Sequence, residues 1–200
     1  MEEMHQRQDF FALILAAGDS RRMRVPKLSL SFSESHSFLE ECIRQFLAFG
    51  CKKVGVVVNA EGASRIKEKK GIFPPQMIII LNPYPEKGRF FSIKTGIAGL
   101  QHEGPLFIHN VDNPFIKQET LETLAGAYPE NHVVCPEYLG KGGHPVLISE
   151  KISRDLLNEK KLNLKLKDFL QNYAPLKVEV NHPEVVVNIN TPEEYRRWFS

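Results

Sequence analysis

The sequence predicts an α/β fold: a Rossmann-like, mostly parallel sheet with helices on both faces. Three observations carry that prediction. Short apolar runs, several of them β-branched, recur along the chain as far as Cys135, as expected of strands buried on both faces. Segments with apolar residues at helical spacing lie between them. Gly, Pro and Asn punctuate the joins. Parallel strands need crossover helices, so this alternation implies a sheet covered on both sides.

The elements follow in order. Phe10–Ala16 reads as a buried strand that stops at Gly18. Phe38–Phe49 carries Leu39, Ile43, Phe46 and Leu47 at helical spacing, and Gly50 closes it as a C-cap. Val54–Val58 is a second strand and Ala63–Lys70 a short charged helix. Met77–Leu81 is a third strand, closed by Asn82 and Pro83. Phe90–Leu100 is helical, Leu106–His109 is a strand, Lys117–Tyr128 a helix and His132–Cys135 a strand. Beyond Pro136 the pattern changes. A Gly-rich loop, Gly140–Gly143, precedes a short strand at Pro145–Ile148. Two short helices and strands at Leu176–Val180 and Val185–Ile189 follow. Pro192–Phe199 is a terminal helix with Thr191 as cap, Pro192 at the first helical position and Glu194 completing a capping box.

No repeat, low-complexity tract or long linker divides the 200 residues, so one domain over residues 1–200 is expected. Apolar residues make up 42% and charged residues 25%, a globular balance. Twenty-six Lys and Arg against 24 Asp and Glu give a formal charge of only +2, which argues against a dedicated nucleic-acid binder. No apolar run approaches the roughly 20 residues that span a bilayer. The polar start, Met1–Asp9, does not read as a signal peptide, so a cytoplasmic protein is expected. Cys42, Cys51 and Cys135 are far apart and form no CxxC pair, so they read as buried thiols.

Three segments carry chemistry. The first strand runs into Leu15-Ala16-Ala17-Gly18, whose small residues let backbone N–H groups approach a ligand. Ser20 adds a hydroxyl, and Arg22 and Lys27 add positive charge. This is the strand end at which a doubly wound sheet binds ligands, although the same residues also fit a plain strand-to-helix turn. The loop is neither GxxxxGK[ST] nor GxGxxG. The second segment, His109-Asn110-Val111-Asp112-Asn113-Pro114, sets Asp112 at a strand end, where it suits either Mg²⁺ or the capping of the next helix. In the third, Asn188 and Asn190 alternate along an expected strand end and so point to one face. Metal or ligand contacts and turn chemistry both fit them. His144 sits in the Gly140–Gly143 region as a titratable ring, more in keeping with an acceptor contact or a structural role than with a base.

Together these segments resemble the MobA-like NTP transferase family, in particular its molybdopterin cytidylyl- and guanylyltransferase branch. Leu15–Lys27 is similar to the family's LAAGxSxRMxxPK pattern. Glu86–Gly96 resembles its G-(M)-x-S-(L/I) segment and Val111–Phe115 its DxP segment. Gly143–Leu147 resembles its GHPVL loop, and Asn188–Tyr195 its D/N-I-D/N-T-P-E-[DE]-Y ending. The resemblance implies a nucleotide-diphospho-sugar transferase type of fold and an enzyme that moves a nucleoside monophosphate from an NTP to a small acceptor. It implies that Leu15, Ala16, Ala17, Gly18, Ser20 and Ser92 hold the nucleotide, and that Arg22 and Lys27 hold its phosphates catalytically. Mg²⁺ would sit on Asp112, with Asn188 and Asn190 in the second metal-side segment, and Gly143 and His144 would face the acceptor. CTP or GTP is the expected donor, in a monomer or small homo-oligomer with neither nucleic acid nor membrane as partner.

Two departures from the pattern stand out. Arg24 replaces a frequent Gly, and Asn188 and Asn190 replace the Asp residues of many cytidylyl-type members. They leave open a nucleotide-binding regulatory module without turnover, beside a sugar-phosphate nucleotidyltransferase. For the acceptor, the expectation is a small anionic phosphorylated metabolite, with a molybdopterin-type cofactor leading. The flexible Gly140–His144 loop would turn N–H groups toward it, with Lys141 and Lys94 adding charge, although a mobile surface turn with no ligand also fits these residues.

Overall fold

The computed structural model describes residues 8–18, 20, 22–23, 25–69, 73–128 and 133–199. In chain order the elements are β1 (Phe11–Leu15), α1 (Phe38–Phe49), β2 (Lys53–Val58), α2 (Ala60–Glu68), β3 (Met77–Leu81), α3 (Gly88–Leu100) and β4 (Leu106–Asn110). Then come α4 (Gln118–Gly126), β5 (Val133–Tyr138), β6 (Lys141–Gly142), β7 (Val146–Ile148), α5 (Glu150–Asn158), α6 (Leu166–Leu170), β8 (Leu176–Glu179) and α7 (Pro192–Phe199).

Every residue of β1 is buried, and alternate side chains feed two different cores. Ala12 and Ile14 pack in the layer that holds Leu39, Ile43 and Phe46 of α1. Phe11, Leu13 and Leu15 pack in the layer that holds Ile93 and Ile97 of α3 and Ile152 of α5. The period of two in a strand forces this division, and it explains why the run shows no polar alternation.

Among the described residues, eight strands form one sheet, ordered β3-β2-β1-β4-β7-β5, with β6 and β8 also pairing β5. β1 pairs in parallel with β2 and β4, and β2 with β3. β7 runs antiparallel to both β4 and β5. The sheet is therefore mixed but mostly parallel. The chain goes outward from β1 to β2 and β3, then returns across it to β4. That reversal leaves a crevice at the carboxyl ends of β1 and β4, the place where such sheets bind ligands.

Local sequence sets the helix ends. Ser37 and Glu40 form a capping box on α1, and Gly50, at φ 103°, closes it in the left-handed region. Asn59 caps α2 through the Gly62 N–H, and Thr191 and Glu194 cap α7 reciprocally. Such caps are each worth about 1 kcal/mol. α3 lies unusually close to the sheet. A Cβ on Gly96 would come within 2.6 Å of Val57 and 2.7 Å of Leu13, so only glycine permits this approach. The close packing carries the first turn of α3 to the crevice.

The structure differs from the sequence reading in several places. Val185–Ile189 is not a strand. A 3-10 turn spans Pro183–Val186 instead, because Val185 and Val187 bond locally to the carbonyls of His182 and Glu184. The Val185 carbonyl is taken by the His144 N–H and by the Asn113 amide. Gly140–Gly143 is not an open loop either. Leu139 and Gly140 both have positive φ, 48° and 76°, the signature of a tight hairpin turn between β5 and β6. Helix α2 begins three residues earlier than expected, at Ala60, because Asn59 caps it. Lys70, His132 and Arg24 lie outside the described residues.

The cysteines are free. Cys42 and Cys51 are buried, and burial pushes the Cys51 thiol up to about 12 and the half-buried Cys135 up to about 11. No helix among the described residues is long and apolar enough to cross a membrane.

Candidate active site

The crevice between β1 and β4 opens into a cleft of about 640 Å³. Leu15, Ala16, Ala17, Gly18, Ser20 and Lys27 form its β1 side; Asn110, Val111 and Asp112 form its β4 side. Gly88, Arg89 and Ser92 come from the first two turns of α3, and Asn59, Glu61 and Gly62 from the start of α2.

Backbone bonds lock the walls together. The Val111 N–H donates to the Leu15 carbonyl at 3.1 Å, and the Ile189 N–H donates to the Asp112 carbonyl at 2.7 Å. The three segments singled out in the sequence thus meet. At their junction the Lys27 ammonium donates to Asp112 Oδ2 at 3.0 Å and to Asn190 Oδ1 at 2.6 Å. Lys27 and Asp112 are each largely shielded, with side chains 17% and 21% exposed. The second carboxylate oxygen, Asp112 Oδ1, is buried and has no partner. A buried, unsatisfied carboxylate oxygen costs free energy unless a cation or donor reaches it.

The fit to a divalent ion rests on that oxygen. No group of three or more His, Cys, Asp or Glu converges among the described residues, so a soft, all-protein metal cage is excluded there. A hard ion such as Mg²⁺ needs no such cage. It takes one or two carboxylates and completes its shell with phosphate oxygens and water. Asp112 Oδ1 is suited to that. Asn190 offers its oxygen to the same junction, where it now faces Lys27. Asn188 is exposed, and its side chain joins none of these bonds. Its carbonyl accepts from the Asn190 amide at 3.3 Å.

The nucleotide-side residues fall into two groups. Ala17 and Gly18 line the cleft, and their amides have no hydrogen-bond partner among the described residues. Ser20 is a loop tie, because its Oγ accepts from the Lys27 N–H at 3.1 Å. Ser92 is buried; its hydroxyl accepts from Asn82 at 2.9 Å and donates to the Gly88 carbonyl at 3.3 Å. Arg22 is exposed and stands outside the cleft wall.

On the far side, His144 Nε2 accepts from the Asn110 side-chain amide N–H at 3.1 Å. The hairpin that carries it is irregular. Residues 143–146 face only residues 135–136 of β5, between the pairs Glu137↔Gly142 and Val134↔Leu147. The extra length bulges inward at His144. Gly143 is fixed there because a Cβ would lie 2.5 Å from the Val185 carbonyl oxygen. Its N–H donates to the Pro136 carbonyl and so does not face an anion. Burial, with the positive charge of Arg89 and the nearby His109, pushes the His144 pKa down to about 3. His109 is fully buried and is pushed down to about 4, chiefly by burial. Its Nε2–H donates to the Asn113 carbonyl at 2.6 Å. Both rings are neutral at physiological pH, and neither is a strong base.

Two cations expected near the acceptor are elsewhere. Lys94 donates to the Glu159 carbonyl at the end of α5, and Lys141 is exposed on the hairpin. The sequence reading passed over Arg89 and Asn110. A signal for Arg89 was available: a cation in the first turn of a helix opposes the helix dipole, so an arginine there needs another reason.

A family model described as the MobA-like NTP transferase domain matches residues 12–178. No curated protein matches the sequence significantly. Solved structures share the fold. Rv0371c from Mycobacterium tuberculosis, in complex with manganese, is 16% identical with a TM-score of 0.75, covering 96% of this chain and 97% of its own. A nucleotidyl transferase from Methanothermobacter is 20% identical with a TM-score of 0.77, covering 94% and 95%. Molybdopterin-guanine dinucleotide biosynthesis protein A from Archaeoglobus fulgidus is 19% identical with a TM-score of 0.68, covering 94% and 96%.

Proposed function

Because the chain belongs to the MobA-like NTP transferase family, we propose that it moves a nucleoside monophosphate from CTP or GTP to a small phosphorylated acceptor and releases pyrophosphate. One observation carries the reading. Lys27, Asp112 and Asn190 converge from three distant segments on one cleft, and a buried carboxylate oxygen there lacks a partner. The manganese bound by Rv0371c supports a divalent ion, proposed here to be Mg²⁺, on Asp112. The likeness to molybdopterin-guanine dinucleotide biosynthesis protein A from Archaeoglobus fulgidus supports a molybdopterin-type acceptor. The reading includes one cytoplasmic domain over residues 1–200.

The chemistry is displacement at phosphorus. An acceptor oxygen attacks the α-phosphorus, the bond to the β-bridging oxygen breaks, and its electron pair leaves on pyrophosphate. A phosphate acceptor has no proton to lose, so the neutral, weakly basic His144 is adequate as a contact. The free amides of Ala17 and Gly18 suit the nucleotide's approach. When bound, Mg²⁺ would neutralise charge on the phosphate oxygens. Lys27 supplies fixed positive charge for the leaving group, and Arg22 adds to it from the rim.

The test is pyrophosphate release with each NTP and a panel of phosphorylated acceptors, with chelator and Asp112→Asn as controls. Metal-dependent release lost in the variant supports the reading. Tight NTP binding with no release from any pair would favour a regulatory nucleotide-binding module instead.

A further inference from the structure

An edge strand presents unpaired N–H and C=O groups to any second strand. The two ends of this sheet manage that hazard differently. Among the described residues, β8 pairs only β5, and it carries Lys177 and Glu179, both exposed. Charges of this kind blunt an edge. At the other end β3 pairs only β2, and its five residues, Met-Ile-Ile-Ile-Leu, include no charge and no proline. The whole run Gln76–Pro85 is uncharged. Ile79 is 42% exposed and Leu81 52%.

The backbone of this edge has a definite pattern. The Val54 N–H donates to the Gln76 carbonyl, and the Asn82 N–H donates to the Val58 carbonyl. Bonding direction alternates along a parallel ladder. Ile78 and Ile80 therefore turn to β2, while Ile79 and Leu81 turn their N–H and C=O groups outward. The Met77 N–H, on the same outward row, is already taken by the Pro74 carbonyl at 3.0 Å.

The side chains of Met77, Ile79 and Leu81 share one face, the face on which Met77 packs with Ile66 of α2. A hollow of about 270 Å³ opens there, lined by Ile66, Phe73, Pro74, Met77 and Ile79. The edge thus carries an apolar projection at Leu81 and an apolar hollow at Met77. A two-fold axis through Ile79 fits one to the other. Antiparallel pairing about it opposes Ile79 to the partner's Ile79, and Leu81 to the partner's Met77 beside the partner's hollow. Opposed residues lie on the same face. The Ile79 N–H then donates to the partner's Ile79 carbonyl, and the Leu81 N–H to the partner's Met77 carbonyl. The Met77 N–H needs no partner. Lys67 and Lys69 also line the hollow, and the run laid across it is uncharged, so no like charge is set against them. An unrelated strand would satisfy the backbone without this reciprocal fit.

We infer that β3 pairs with β3 of a second copy of this chain, about a two-fold axis at Ile79, so that one sheet runs through a homodimer. The parallel strands of the two copies then point in opposite directions. Their clefts open at opposite ends of the sheet, and neither is covered. Two short strand edges bury little area by the standards of permanent dimers, so the association is reversible.

The experiment is sedimentation velocity on the full-length protein from micromolar to millimolar concentration, joined to thiol cross-linking. The wild-type protein should pass from monomer to dimer. Ile79→Lys sets like charges against each other on the axis and removes two apolar contacts, so it should raise the dissociation constant by about 100-fold or more with its thermal melt little changed. In Ile79→Cys the two new thiols face each other, on Cα atoms about 5.5 Å apart. A short thiol-to-thiol cross-linker should therefore trap the dimer. Leu139→Cys, on the exposed β5–β6 turn, should yield none, and neither should the wild-type protein, whose cysteines are buried or half-buried. Wild-type protein that stays monomeric throughout would overturn the inference. So would a dimer insensitive to Ile79→Lys, or cross-linking no better at Ile79→Cys than at Leu139→Cys. If Ile79→Lys does not fold, the cross-linking alone decides.

Discussion

The side chains of Lys27 and Asp112 meet at 3.0 Å although 85 residues separate them in the chain. The contact joins the loop after β1 to the turn after β4, and Asn190 completes it from the C-terminal segment. In this arrangement the ammonium of Lys27 is the cation on Asp112. On the proposed reading, a metal on Asp112 Oδ1 would share one carboxylate with the lysine on Oδ2, and a bound triphosphate would draw the lysine away. Lys27→Met should bind Mg²⁺ more tightly than wild type without nucleotide, yet turn over about 100-fold more slowly or worse. Metal titration and steady-state rates on the same preparation check both halves. Arg22→Ala, on the exposed rim, should raise KM for NTP more than it lowers kcat.

Asp112→Asn should abolish metal-dependent turnover, since a neutral amide is a poorer ligand for a hard cation. Its effect on the melting temperature should be small, because the ion pair it breaks is only partly buried. A large loss of stability with activity retained per folded molecule would move Asp112 from chemistry to structure.

Gly143→Ala should destabilise the fold. The new Cβ would meet the Val185 backbone oxygen at 2.5 Å, and backbone cannot swing aside as a side chain can. Overpacking of this kind costs about 1–3 kcal/mol, or several degrees in melting temperature for a chain of this size. Thermal melts measure it. Gly142, whose added Cβ would meet nothing within 4 Å, is the control position.

Acid should weaken the fold through two histidines. His109 and His144 titrate near 4 and 3 in the folded chain, against about 6.5 when unfolded. Between those values the unfolded state binds more protons, so stability rises with pH there. It is therefore fully present above about pH 6.5 and is lost as pH falls toward 4 and then 3, at up to about 1.4 kcal/mol per pH unit for each ring. Denaturant midpoints from pH 7 to 4 should fall more gently in His144→Gln than in wild type.

Much of the fold was legible in the sequence because its strands are buried on both faces. Met77–Leu81 and Phe38–Phe49 match the structure residue for residue, since apolar runs and helical spacing leave few alternatives. Val185–Ile189 misled because β-branched residues suggest a strand, and nothing local reveals that His144 and Asn113 claim the Val185 carbonyl. The Gly140–Gly143 segment misled in the same way: glycine signals both an open loop and a tight hairpin, and only pairing with β5 decides. At the site, motif spacing pointed to Lys27, Asp112 and Asn190, which the fold brings together. Lys94 was drawn away by the end of α5, a tertiary contact that no spacing encodes.

The central claim is that Asp112 and the β1 loop together hold a metal-bound triphosphate. Anomalous diffraction at the manganese edge tests it most directly, on crystals grown with Mn²⁺ and an α,β-methylene nucleoside triphosphate. The account predicts a single strong peak at coordination distance, about 2.0–2.6 Å, from Asp112 Oδ1, with the phosphates reached by Lys27 and the nucleoside along Leu15–Gly18. A metal peak away from Asp112, or a nucleotide bound outside this cleft, would contradict it.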